Sequence, residues 1–190
     1  MRVIIGYIYP QENKRLSTFI HTHALIENVV DSFESKLSPR YFRTKQALLP
    51  FSEEKNRASF SLYERQNVQL VVRFHLTENA PPDYKKLVAT NGKGPLPVRI
   101  MDQMKYFFFE EGFEGYFTRY CDSHSGLPNR IDFIDFDLGN MEDKKDMLLI
   151  GNGKRFGEVV GIMFNKCAQY LLNGNLVDAK TFPFPTSRDY

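Results

Sequence analysis

The chain has no tryptophan, only two cysteines and four histidines, and no long apolar run. Each shortage closes off a class. Cys121 and Cys167 are too few for a disulfide framework or a cysteine-rich zinc site, so a reducing, cytoplasmic setting is expected. No stretch approaches the roughly 18 apolar residues that a membrane-spanning helix needs. The segment before Pro10 is too short, and too soon followed by charge, to serve as a signal peptide. Net charge is scarce as well. Twenty-five Lys and Arg against 23 Asp and Glu leave +2, too little by itself to argue for nucleic acid or an anionic surface.

Aromatic side chains are plentiful. Seventeen Phe and 10 Tyr among 190 residues supply bulky material for one core. With 42% apolar and 25% charged residues the composition is globular. Residues 1–178 are expected to form a single domain, and 179–190, with Pro183 and Pro185, an extended tail.

The alternation Arg2–Tyr9 reads as a strand ended by Pro10. Leu16, Phe19, His23, Ile26, Val30, Phe33 and Leu37 keep helical spacing, which predicts a helix over 16–37, stopped at Ser38-Pro39. Residues 40–55 read as irregular. Ala58–Leu62 and Val68–Thr77 read as a hairpin whose second strand is central. A loop over 78–97, with one helical turn near 83–89, leads to a second helix over 98–111 and then strands at 113–121 and 131–138. Met147–Ile150 reads as a short buried strand. The last helix carries Phe156, Val159, Val160, Met163, Phe164, Cys167, Tyr170 and Leu171 inward and closes at Asn173-Gly174. The order predicts an α+β fold: a ferredoxin-like βαββαβ core with a C-terminal ββα extension and a mixed or antiparallel sheet.

Between the last strand and the last helix lies Gly151-Asn152-Gly153-Lys154-Arg155-Phe156-Gly157. Glycine permits close backbone approach, and a helix amino end with two cations favours an anion. Gly151, Gly153, Lys154, Arg155 and Gly157 are therefore the expected ligand-binding residues, on an open basic turn. The run lacks the Gly-Lys-Ser/Thr ending of a phosphate-binding P-loop, and its glycine spacing is one residue too long for a dinucleotide fingerprint.

His21 and His23 on the first helix, and Asp135 and Asp137 on a strand, are the candidate catalytic residues. Two histidines at i, i+2 on a helix diverge, so they are not expected to share a metal. His23 sits on the apolar stripe and fits a core histidine. Asp135 and Asp137 project to one strand face and fit either a solvated face or a divalent-metal pair. His75-Leu76-Thr77 has the His-x-Thr form of two-histidine phosphoesterases, but no second copy accompanies it. No cofactor is expected.

Arg40-Tyr41-Phe42-Arg43-Thr44-Lys45 interleaves cations with rings, as single-stranded nucleic-acid binders do. The element order, the late basic glycine turn and the histidine on the first helix resemble the Cas6-type ribonucleases of CRISPR systems, at the level of topology only. That resemblance implies an RNA-binding protein. The alternatives are a non-enzymatic subunit of a larger assembly, viral ones included, bound to other protein subunits, and a metal-dependent nucleotidyl or phosphoryl transfer enzyme using Asp135 and Asp137. No membrane partner is expected.

Overall fold

The computed structural model describes residues 1–7, 16–48, 61–77, 80–113, 116–120 and 131–173. The elements are β1 (Arg2–Tyr7), α1 (Leu16–Lys36), β2 (Arg43–Leu48), β3 (Leu70–Thr77), β4 (Lys86–Thr90), α2 (Pro95–Glu110), β5 (Tyr116–Tyr120), β6 (Asp132–Asn140), α3 (Lys144–Gly151) and α4 (Gly153–Asn173), with a further helical turn over 61–65. The strands form one six-stranded sheet in the order β2-β1-β3-β6-β4-β5. β1 pairs in parallel with both β2 and β3, β3 with β6, and β4 with β5; β4 alone runs antiparallel to its neighbour β6.

This is a mostly parallel α/β sheet, and it overturns the ferredoxin-like expectation. The causes are local. β2, Arg-Thr-Lys-Gln-Ala-Leu, occupies a sheet edge, where charged side chains protect an unpaired ladder; its polarity disguises it as loop. β4 alternates buried and half-buried residues, but is only five residues long and lies where a helical turn was expected. The run Met147–Ile150 is helical, in α3, since a short apolar run does not by itself distinguish strand from helix. The hairpin is absent too: 61–65 is helical, and the rest of the supposed first strand lies outside the described residues, as does the 179–190 tail.

One sheet face carries the main core. Val3, Ile5, Leu70, Val72, Phe74, Ile134, Phe136 and Leu138 pack under α1, α2 and α4. Phenylalanines link the layers. Phe33 of α1 meets Phe74 of β3 edge-on at 5.3 Å and Phe164 of α4 at 5.0 Å, while Phe74 stacks on Phe136 at 5.2 Å. The other face carries a smaller cluster of Ile4, Tyr63, Val68, Val71, Ile131 and Phe133.

α1 and α4 lie unusually close. Gly153, Gly157 and Gly161 are all buried on one face of α4. A Cβ at Gly157 would come to 2.9 Å from the Phe33 amide nitrogen, and one at Gly161 to 2.8 Å from the Phe33 carbonyl oxygen. At the far end of the same interface, Asn165 terminates α1. Its Oδ1 accepts from the Ser38 amide at 2.8 Å, and its Nδ2 donates to the Lys36 carbonyl.

Candidate functional site

In an open parallel sheet, ligands settle outside the carboxyl ends of the strands, near the point where strand order reverses. Here the chain leaves β1 for β2 on one side and returns to β3 on the other, so the reversal falls between β1 and β3. The carboxyl ends of β3 and its neighbour β6 stand beside it. Both strands are apolar on the second face in their first halves, at Val71 and Phe133, and turn polar in their last halves. The parallel register sets Arg73 opposite Asp135 and His75 opposite Asp137. A register shift between His75 and Thr77 follows, bringing Thr77 level with Asn140.

Arg73 and Asp135 form a buried ion pair. Asp135 also accepts a hydrogen bond from His75, Nδ1 to Oδ1, at 2.9 Å. An ionised carboxylate only accepts, so the Nδ1 of His75 carries a proton and its Nε2 is the nitrogen left for chemistry. That nitrogen stands 3.9 Å from Oδ2 of Asp137. The imidazole is 27% exposed, against 9% and 8% for the Asp135 and Asp137 side chains, so His75 is the member of the cluster that a ligand can reach. Asp137 is held in turn by the Thr77 hydroxyl at 2.8 Å and the Gly139 amide at 3.0 Å. Tyr84 adds a buried hydroxyl beside Asp137 that has no hydrogen-bond partner of good geometry.

The rim at this edge is clamped from the helical side. Because β4 is antiparallel to β6, Lys86 starts where β6 ends, and its Nζ donates to Asp146 of α3 at 2.7 Å in a buried pair. The other oxygen of Asp146 accepts from the Asn140 amide at 2.9 Å. Gly139, at φ +135°, lies so near that a Cβ there would approach the Asp146 Cβ to 2.9 Å, which requires glycine.

Burial pulls the His75 pKa down, but the charge and hydrogen bond of Asp135, with Asp137 behind, outweigh it and hold the imidazole above its ordinary 6.5. Burial raises the Asp137 carboxyl above its ordinary 3.8, against the pull of His75, Thr77, Gly139 and the Tyr84 hydroxyl. Burial and Asp137 also raise the Tyr84 hydroxyl, which stays protonated as a donor. Since His75 binds its proton more tightly folded than unfolded, its stabilising contribution is complete below about pH 6.5 and fades as pH rises through the folded value. Asp137 acts in the same sense from lower pH upward. Thermal unfolding of His75→Gln across about pH 5 to 9 should therefore show a flatter fall in Tm above pH 6.5 than the parent chain, with the acid limb kept. Parallel curves would mean that His75 does not titrate in this network.

The expected site residues fare unevenly. Asp135 and Asp137 do share a face, but both are buried, and the charge of Asp135 is already met by Arg73 and His75. They therefore form no solvated strand face, and the arrangement does not suit the alternative of a metal-binding carboxylate pair either; among the described residues no three His, Cys, Asp or Glu are grouped to hold a metal. His23 is half-exposed, 3.2 Å from Glu27 one helical turn on, and not in the core. His21 lies in α1 with its side chain outside the described residues. The open basic turn is not formed. Gly151 ends α3; Gly153, Lys154, Arg155 and Gly157 belong to α4, with both glycines facing α1. The Phe156 amide is bonded to the Asn152 carbonyl at 3.1 Å. Lys154 is exposed, and Arg155 pairs with Glu111. In the aromatic-basic run, Phe42 is 3% exposed and offers no ring to a base. His75 is the residue whose role the sequence left unassigned.

The sequence matches no family model and no curated protein. The fold does match solved structures. An N-acetylmuramoyl-L-alanine amidase from Clostridium difficile 630 superposes with TM-score 0.56 at 12% identity, over 90% of this chain and 96% of that one. AmiC2, an N-acetylmuramoyl-L-alanine amidase of Nostoc punctiforme, gives 0.57 at 11% identity, over 90% and 97%. The CwlD amidase from Clostridioides difficile, solved with the GerS lipoprotein, gives 0.55 at 12%, over 88% and 98%. At such identities the likeness shows the fold alone. It replaces the ferredoxin-like, Cas6-type reading, and with it the RNA-binding, assembly-subunit and nucleotidyl-transfer readings. No helix among the described residues is long and apolar enough to cross a membrane.

Proposed function

We propose that the chain is an amide hydrolase acting on N-acetylmuramoyl-L-alanine linkages, with His75 as the group that moves the proton. One observation carries the reading. At the carboxyl edge of the sheet, Nε2 of the partly exposed His75 ring stands 3.9 Å from Asp137 while Asp135 holds its Nδ1. The same-fold amidases support the choice of substrate, and coverage of most of both chains supports treating 1–178 as one domain. Because one of those amidases is seen with a lipoprotein, a protein partner remains part of the proposal. The reducing setting is not carried over. The Cys167 thiol is buried and pushed up to about 12, so it is inert and reports nothing about its compartment.

In this reading water attacks the amide carbon as Nε2 takes its proton, and the C–N bond breaks as that proton passes to the departing amine. Asp135, paired with Arg73, also pairs with the imidazolium formed on the way.

The test is incubation of the full chain with a synthetic N-acetylmuramoyl-L-alanyl peptide or purified sacculi, with and without added divalent cations, reading new amino termini by mass spectrometry. The parent chain should release the alanyl peptide, and His75→Ala should lower the rate by roughly 10²- to 10⁴-fold while keeping a cooperative thermal transition. Absence of any new amino terminus from the parent chain under all these conditions would end the proposal.

A further inference from the structure

At the opposite edge of the sheet, where β1, β2 and β3 begin, the same face carries a different population. Arg2 stands directly opposite Arg43 in the parallel β1–β2 ladder. These two, with Arg40 and Tyr41 from the turn into β2 and Gln69 from the approach to β3, line one open cavity of about 360 Å³. An adjoining cavity of about 280 Å³ shares Arg2 and Arg43 and adds Lys45, two residues along β2. Among the described residues no carboxylate lines either space. Glu64 lines a third cavity that also borders Arg2 and Gln69. Arg2 donates to the Gln66 carbonyl at 2.6 Å, and Arg40 lies 5.7 Å over the Tyr41 ring. Neither contact neutralises a charge.

Like charges at directly paired ladder positions destabilise a sheet. Three guanidinium groups around one space repel one another unless a counter-charge enters it. Guanidinium forks match the paired oxygens of a phosphate, and the open cavity has room for a small ligand. The buried neighbours Val3 and Leu70 fix the backbone at Arg2 and Gln69, whose side chains, like those of Arg40 and Arg43, are exposed. We infer that this cavity is a second binding site, taking a small molecule that carries a multiply charged phosphate or pyrophosphate group. It lies across the sheet from the His75 crevice and does not depend on the chemistry proposed there.

Inorganic pyrophosphate titrated calorimetrically into the full chain at low ionic strength is the first probe. A sugar phosphate and a nucleoside diphosphate are the second and third; the tightest binder identifies what carries the phosphate. Saturable binding with one site per chain is expected. The double variant Arg40→Gln, Arg43→Gln should weaken it about tenfold or more, while Arg155→Gln, on α4, leaves it unchanged. Without any anion, Arg43→Gln alone should raise Tm, because it relieves the repulsion from Arg2. Should the double variant fold poorly, Arg40→Gln alone, which leaves the ladder untouched, carries the same test with a smaller loss. Heats that never saturate, an affinity indifferent to these arginines, or a lower Tm for Arg43→Gln without anion would each overturn the inference.

Discussion

Gly157→Leu is expected to destabilise the chain by about 3 kcal/mol or more, at or beyond the upper end of what overpacking a core costs. The side chain would have to occupy space already filled by the Val29 carbonyl, the Phe33 amide and Ser32 of α1. None of these is the free end of a flexible side chain, so the clash is relieved only by moving one helix off the other. That movement would also part Phe33 from Phe164, and the Asn165 side chain from the last turn of α1. A glycine inside a helix costs about 1 kcal/mol relative to alanine, and α4 tolerates three on one face because they let α1 approach to backbone contact. Urea unfolding followed by circular dichroism provides the measurement. The midpoint should fall with little change in slope, whereas Lys154→Ala, three residues earlier and exposed, should leave it unmoved. A Gly157→Leu chain as stable as the parent would mean that the two helices are not packed as described.

Those glycines show how local evidence can mislead. Read in order along the chain, Gly151, Gly153 and Gly157 after an apolar run look like a turn. What marks Gly153 and Gly157 as a helix face is the spacing of four, continued to Gly161, and the helix partner supplied from more than a hundred residues away. The legible parts were those governed by their own period. The stripes of α1 and α4 follow from helical spacing, and the strands β3 and β6 from runs of apolar, β-branched and aromatic residues. β2 and β4 were not legible, because a strand of only five or six residues at or near an edge owes its state to the neighbour it pairs with. The site divides in the same way. That Asp135 and Asp137 share a face is a property of one strand and could be read directly. That they meet His75 depends on β3 pairing with β6 in one register across some sixty residues, and no local pattern encodes that pairing. A usable trace did exist. Both strands keep the second face apolar in their first half and polar in their last, which is how two neighbouring parallel strands ending at one site would read.

Asp135→Ala should cost about 3–5 kcal/mol, because it breaks a buried ion pair by removing the carboxylate that meets the Arg73 guanidinium. The companion variant makes the argument sharper. Replacing both partners, Arg73→Met with Asp135→Leu, removes the charges together and should return most of that stability, since a buried ion pair roughly balances its own desolvation. Function should not return with it. In the double variant the Nδ1 of His75 has lost its acceptor, the ring is no longer oriented, and the nearest remaining carboxylate is Asp137, 3.9 Å from the other nitrogen. Amide hydrolysis should therefore stay low in both variants, while the thermal transition falls in the first and recovers in the second. The His75 contribution to the Tm–pH curve should shrink in both, because the charge of Asp135 is the larger of the two that raise the imidazole above 6.5. If activity recovered along with stability, Arg73 and Asp135 would be only a structural pair beneath the site, and the orientation of His75 would have to come from elsewhere.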